Sequence, residues 1–378
     1  MTTRIATASD VPAIIDDLLA SDIVAVDTEF HPERRYLPQL YLVQIATDRG
    51  AWLFDPLEPE PMLAIGPALL KCTWLVHSGL FDLRLLERAL GGVARNVIDV
   101  QIAAGLVSVD YPAPLGSVLA KHLQVTVAKG ETLSDWSRRP LSREQLVYAA
   151  EDVLLLGALW RTLRAKLEAL GRLEVAAAAF QDAWNSAIDP KGTDLWREFG
   201  GASTLNGRAA ATLRDLAAWR DETARLEDQP ARAFVPDGVL MEMSRQAPTN
   251  VAVLQRDRRL SRSVVKRYGD AIIDVIARAS DSPIPTIAQR GSPAWRVATL
   301  LEATAEAGGF AASWAPRLVA PRTRLEALAA TSAPSRSTIA EVLGWRDALA
   351  GDLLFDALTG RIAPHWSHGD VVLGVPHP

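Results

Sequence analysis

Clear strand signals in this 378-residue chain crowd into the first hundred positions, and after about Leu170 no convincing strand is found. "DIVAVDTEF" (22–30) is β-branched and alternating, as a strand should be. "LYLVQIATDRGAWLFDP" (40–56) reads as two strands around the turn Asp48-Arg49-Gly50. "CTWLVHS" (72–78) is a short apolar strand, and "NVIDVQIAAGLV" (96–107) fits strand or helix equally. Helical patterns alternate with these. "SDVPAIIDDLLAS" has Ser9 or Asp10 as cap and Pro12 in its first turn. "GLFDLRLLERALGG" is closed by glycines, "LGSVLAKHL" follows, and "SREQLVYAAEDVLLLGALWRTLRAKLEAL" (142–170) reads as one long amphipathic helix. The expected fold class is α/β: a mixed sheet flanked by helices, followed by all-helical units.

Those units begin with "GRLEVAAAAFQDAWNSA", which continues helical, and "IDPKGTDLWREFGGAST" (188–204), which reads as a linker. "NGRAAATLRDLAAWRDETARLED", "VPDGVLMEMSRQAP" with Asp237 as N-cap, and "SRSVVKRYGDAIIDVIARAS" form a helical unit near 203–280. Three prolines in "DSPIPTIAQRGSPAW" end it. A second helical stretch fills 297–361, and a polar tail carries Pro364, Pro376 and Pro378. The expected division is therefore 1–175, a helical linker 176–202, 203–282, and 283–378, within the two or three domains that this length suits.

The single cysteine, Cys72, allows no intramolecular disulfide and favours a reducing compartment. The first residues show no basic-then-apolar leader, and no window approaches a membrane span of roughly 18 apolar residues. A cytoplasmic protein is expected. The net charge of −5 argues mildly against nucleic-acid binding. Yet residues 203–279 hold 13 Arg and Lys against 10 Asp and Glu. The run "RDRRLSRSVVKR" concentrates Arg256, Arg258, Arg259, Arg262, Lys266 and Arg267, and helical spacing would put several on one phosphate-tracking face. An ordinary solvated face explains the same run as well.

Two carboxylates sit inside the first strand signal. Asp27 and Glu29 are two residues apart, so they point the same way, and buried together they would repel unless a cation neutralised them. Asp27-Thr28-Glu29 is the only Asp-x-Glu triplet in the chain; alone, a solvated strand end explains it better than a metal site. In "VHSGLFD", Asp82 falls in the first turn of a helix, where the dipole favours it. His77 has no zinc-ligand partners at suitable spacing, so a hydrogen-bonding or packing role is expected. In "YAAED", Tyr148 and Asp152 are four residues apart on one helix face, and no other tyrosine of the five has a carboxylate at that spacing.

Taken together, Asp27, Glu29, Asp82 and Asp152, with Tyr148 ahead of the last, come in an order that resembles the DEDD family of 3′→5′ exonucleases, tyrosine subgroup. "VDTEF", "LVQIA", "VHSGLFDL", "IDVQIAA" and "LSDWSRRPLSREQLVYAAEDV" resemble its ribonuclease D branch over about 5–165. The segments around 214–279 resemble an HRDC domain, the helical nucleic-acid-binding module, and 283–378 would match a second, divergent copy. The resemblance implies a ribonuclease H-like fold and a two-metal site with Mg²⁺ or Mn²⁺, not zinc. Asp27, Glu29 and Asp152 would ligate one ion, Asp27 would bridge to the second, and Asp82 would help hold that one. Two such ions clamp the attacking and leaving oxygens of an in-line displacement at phosphorus. Tyr148 would orient the attacking water, and nucleoside 5′-monophosphates would leave the 3′ end of RNA. The implied partners are tRNA precursors with 3′ extensions, for a monomeric enzyme.

Phe30 and Phe81 are candidates to line the terminal-base pocket, with core packing an equal alternative, His77 is a candidate substrate contact, and Arg258, Arg259, Arg262 and Lys266 are candidate phosphate contacts. Lys129 and Trp136, in "KGETLSDW", match the family's segment but receive no role. A DNA exonuclease with the same acidic set, and a silent nucleic-acid-binding scaffold, are the alternatives; the complete acidic set argues against the scaffold.

Overall fold

The structure is a computed structural model that describes residues 4–31, 35–127, 134–188, 195–197, 199–285, 288–331, 334–367 and 369–375, the side chains of Ala187, Ile188, Trp366 and Asp370 excepted. Lys129 lies outside the described residues.

The chain opens with α1 (Val11–Leu19), whose early proline sits where a missing N–H is harmless. Asp10 holds the cap position, but its carboxylate pairs with Arg4 and accepts from the Thr7 N–H instead of capping. Three strands follow as an antiparallel meander: β1 (Ile23–His31), β2 (Gln39–Thr47) and β3 (Gly50–Phe54). The β2–β3 turn falls where Asp48-Arg49-Gly50 predicts it, with Thr47 opposite Gly50. Next comes α2 (Glu60–Leu69), which the sequence reading missed. Pro61 lies in its first turn, where a missing N–H is harmless, and Pro67 lies inside the helix. β4 (Thr73–Val76) leads to α3 (Leu80–Leu90), ended by Gly91 at φ +68°.

The ambiguous segment at 96–107 is both strand and helix. β5 (Asn96–Asp99) runs straight into α4 (Val100–Gly105), and Asp99 makes the switch by accepting the Gln101 N–H at 2.8 Å. After α5 (Leu115–Leu123), the expected single long helix is two: α6 (Arg143–Leu154) and α7 (Leu156–Ala169), interrupted at Leu155. The interruption lets α6 lie over β1–β3 while α7 packs on α4 and α5. Ser142 and Gln145 form a capping box at the start of α6. α8 (Leu173–Ile188) completes this unit.

The sheet has strand order β3-β2-β1-β4-β5, antiparallel between β1, β2 and β3 and parallel between β1, β4 and β5. It is mixed and flanked by helices on both faces. Val24, Val26, Val43, Ile45, Trp74 and Leu86 build the core on the α1–α3 side. On the other side, Leu42 and Leu53 pack with Ala149 and Ala150 of α6. The chain builds outward from β1 in both directions, which makes the carboxyl end of β1 the natural place for a ligand.

A separate core forms the next unit: α9 (Gly207–Leu226), α10 (Ala231–Phe234), α11 (Asp237–Gln246), α12 (Val251–Leu254) and α13 (Arg262–Arg278). Asn206 and Ser261 cap α9 and α13 through their side chains. Trp196, Phe199 and Ala202, read as linker, are buried in this core. Asp237 is the first residue of α11, not its cap; its carboxylate takes the Arg220 guanidinium at 2.7 Å.

The last helices are α14 (Pro293–Ala312), α15 (Pro316–Val319), α16 (Arg322–Ala329), α17 (Arg336–Leu343) and α18 (Asp347–Leu358). Their core is continuous with that of α4–α7: Leu301, Leu325, Ile339 and Leu354 join the cluster of Val100, Leu159 and Leu163. Buried Arg172 ties the two together by donating to the carbonyls of Leu106, Ala312 and Ser313 at 2.6–2.9 Å. The tail is not merely polar. β6 (Ala363–Ser367) and β7 (Asp370–Gly374) pair as an antiparallel hairpin, so strand does occur after Leu170. Among the described residues, no helix is long and apolar enough to cross a membrane.

Candidate active site

β1 carries Asp27 and Glu29 toward its carboxyl end, side by side on the face that α6 covers. A bulge between Glu29 and Phe30 leaves Tyr41 of β2 unpaired and bends the strand at that point. Asp82, in the first turn of α3, is 9 % exposed. Tyr148 and Asp152 project from α6, and the tyrosine hydroxyl is hydrogen-bonded to the Asp152 carboxylate.

These carboxylates feel one another. Burial pushes Asp27 well above the ordinary carboxylate range, and the charges of Asp82, Asp152 and Glu29 push it further. Glu29 is raised to about 8, by burial first and then by Asp152 and Asp82. Asp152 is raised to about 6 by burial, against the hydrogen bond from Tyr148. Asp82 is raised by burial, while the hydroxyl of Thr28, donating to its carboxylate, holds it down. Four carboxylates brought together at such electrostatic expense are hard oxygen donors suited to divalent cations. Among the described residues no group of three or more His, Cys, Asp or Glu side chains stands as a finished cation cage. Asp82 accepts the Thr28 hydroxyl and Asp152 the Tyr148 hydroxyl.

The aromatic candidates adjoin this site. Phe30 and Phe81 are partly exposed, with ring centroids 5.1 Å apart. His77 is hydrogen-bonded through Nε2 to the Ala113 carbonyl at 3.1 Å, and burial lowers its pKa to about 4. It is therefore neutral at pH 7, a packing and hydrogen-bonding group in this state. Trp136 is buried beside Tyr148 at 6.3 Å between centroids, and its backbone N–H donates to His31 Nε2 at 3.0 Å. Arg139 holds this segment against the sheet, pairing with Asp55 and donating to the Tyr41 carbonyl at 2.8 Å.

The basic run does not share one helix face. Arg258 and Arg259 lie in the turn before α13, and Arg259 is paired with Asp257 at 2.6 Å. Arg262 and Lys266 are one turn apart on α13 and line a groove of about 620 Å³ with Val251, Gln255 and Asp270. Arg267 is paired with Glu227 at 2.7 Å. Thr28, His31, Gln44 and Arg139 were not singled out from sequence. Thr28 sits inside the quoted triplet and Gln44 inside "LVQIA", but nothing in composition marks either as more than a strand residue.

Comparison with known proteins gives the same two units. Residues 3–168 match the model of a 3′-5′ exonuclease family, and residues 209–276 match the HRDC domain. A ribonuclease D of Gluconacetobacter diazotrophicus is 30 % identical over 95 % of this chain and 93 % of its own length. One of Acidiphilium cryptum is 31 % identical over the same shares. The chain belongs to the ribonuclease D family. The crystal structure of Escherichia coli RNase D, described as an exoribonuclease involved in structured RNA processing, superposes with a TM-score of 0.74 at 26 % identity, covering 95 % of this chain and 99 % of that one. As a ribonuclease D family member, this chain is a 3′→5′ exoribonuclease acting on RNA, and its exonuclease family implies dependence on divalent metal ions.

Proposed function

We propose that Asp27, Glu29, Asp82 and Asp152 hold two divalent cations, Mg²⁺ or Mn²⁺, and that Tyr148 orients the attacking water. The observation that carries this reading is the gathering of four carboxylates around one strand end, where Asp82 and Asp152 act on both Asp27 and Glu29. Such ions supply Lewis acidity toward the phosphoryl oxygens and make water a better nucleophile at neutral pH. The chain's own groups do the rest. Asp27 and Glu29 sit on a strand that pairs with β2 through both of them and with β4 as far as Ala25, so the site is built on the sheet and not on a loop. Tyr148 serves as a hydrogen-bonding group while Asp152 fixes its direction. Phe30 and Phe81 offer a stacking surface for a terminal base of any identity.

The reading extends to tRNA precursors with 3′ extensions as substrates, trimmed to nucleoside 5′-monophosphates by a monomeric enzyme. Its helical module, with Arg258, Arg262 and Lys266 exposed, would add phosphate contacts. A single buried cysteine without a disulfide suits the cytoplasm. Preference for RNA over DNA would rest on contacts to the 2′-hydroxyl.

The test is digestion of 5′-labelled RNA carrying a tRNA-like body and a 3′ extension, beside its DNA counterpart. A ladder shortening from the 3′ end is expected with Mg²⁺ or Mn²⁺ and none with EDTA. Asp27→Asn should lower the rate at least about 10³-fold, the scale for losing a group that acts in the transition state. A fully active Asp27→Asn enzyme would refute the metal assignment, and equal rates on DNA would refute the substrate assignment.

A further inference from the structure

Gln44 is fully buried in β2, at 0 % exposure, and both its amide nitrogen and its amide oxygen lack a hydrogen-bond partner among the described residues. A buried side-chain amide with neither end satisfied is rare in a native fold and calls for a reason. The ladder suggests one. Gln44 is directly opposite Asp27, so the two side chains share the sheet face that α6 covers. On the far side its ladder neighbour is Leu53, which offers no polar atom from its side chain.

The carboxylates near it are unequally served. Asp82 receives the Thr28 hydroxyl and Asp152 the Tyr148 hydroxyl. Among the described residues no side chain donates a hydrogen bond to Asp27, the carboxylate that burial and its three neighbours disfavour together; the Thr28 N–H serves it from the backbone. An idle amide donor thus faces an under-served carboxylate across one rung of the sheet.

We propose that Gln44 is a positioning residue for Asp27. Its amide N–H donates to the Asp27 carboxylate when that group turns to hold a cation, fixing the side chain's direction. The inference rests on the metal-site reading above. In the metal-free chain the amide contributes nothing to the fold that an apolar side chain of similar shape would not, because an unsatisfied buried polar group is a cost. A residue that only served stability would not be left in this condition.

The two roles separate experimentally in the full-length chain with Gln44→Leu and Gln44→Met, measuring metal-free thermal stability and Mn²⁺ affinity by calorimetry. The expected result is a melting temperature equal to or above that of the wild type without metal, with Mn²⁺ binding weakened by about 10- to 100-fold, the usual effect of removing a group that orients a metal ligand. Activity should fall at low Mn²⁺ and recover as Mn²⁺ is raised. Unchanged Mn²⁺ affinity in both variants would overturn the proposal. So would metal-free unfolding of both, which would make the amide a structural group. Asp27→Asn is the control: if it too binds Mn²⁺ normally, the metal-site reading itself fails, whereas loss in Asp27→Asn alone refutes only the role of Gln44.

Discussion

The acidic end of β1 and the basic turn leading into α13 hold charge in opposite ways. At β1, Asp82 is buried and Asp27, Glu29 and Asp152 are half-buried, and burial raises the pKa of all four. At α13, Arg258, Arg262 and Lys266 are exposed, and the cations that do find partners, Arg259 and Arg267, pair with Asp257 and Glu227 at the surface. Exposed charge costs a fold almost nothing, so its presence says little. Buried like charge is expensive, so it persists only where something outside the chain relieves it. This is why the first cluster points to a chemistry and the second only to a surface.

The largest effect expected from this contrast is on stability. Glu29 is raised to about 8 from an ordinary value of 4.5, so the folded chain keeps a proton there that the unfolded chain has already lost. A raised acid pKa gives stability that is complete below the unfolded value and declines as pH rises through the folded one. His77 and His122, lowered to about 4, work in the other sense below pH 6.5, so the window from 6.5 to 8.5 isolates the carboxylates. Urea unfolding of the metal-free chain should show stability falling by on the order of a few kcal/mol over that window, with Mn²⁺ restoring it. Glu29→Gln should flatten the slope. A flat profile in the wild type would break the comparison, because the acidic cluster would then cost the fold no more than the basic one.

The same reasoning explains what sequence alone made legible. Asp27, Glu29, Asp82 and Asp152 could be picked out because carboxylates in apolar strand and helix patterns are conspicuous, and because their order matched a known pattern. Gln44 escaped notice because an uncharged residue in "LVQIA" breaks no rule until its burial and its rung opposite Asp27 are seen. α2 was hidden by Pro61 and Pro67, whose cost depends on position within the helix. The interruption at Leu155 was hidden for the opposite reason: the run Val153–Leu156 contains no breaker, and packing of α6 on the sheet and α7 on α4 decides it. The tail hairpin depends on pairing between two five-residue segments, which period alone does not report.

A smaller effect is expected at the basic turn. Arg258→Ala, Arg262→Ala and Lys266→Ala together should weaken binding of single-stranded RNA about tenfold near 0.1 M salt and reduce the salt slope by about 2, at roughly 0.7 per lost phosphate contact. Turnover of a dinucleotide, too short to reach α13, should be unchanged. A triple variant with the wild-type salt slope would leave those three cations as an ordinary solvated face, sharpening the contrast with β1.

The smallest effect lies where the two regions meet. The Tyr36 hydroxyl, just after β1, donates to the Asp221 carboxylate of α9 at 2.9–3.0 Å, and Asp228 accepts the Tyr36 N–H at 3.3 Å. Arg35 approaches Asp228 at 4.0 Å. These contacts join the end of the acidic strand to the helical module, but they are partly exposed, and such bonds are worth little each. Tyr36→Phe and Asp221→Asn should each cost below about 1 kcal/mol of stability, and a double-mutant cycle should return a coupling of about 0.5–1 kcal/mol. The informative readout is the rate on a long RNA against that on a dinucleotide. If the clasp aligns the module's surface with the strand end, the ratio falls in either variant while dinucleotide turnover holds. If both rates stay equal to the wild type, the two regions contribute independently, and the acidic site needs nothing from the helical module beyond tethering.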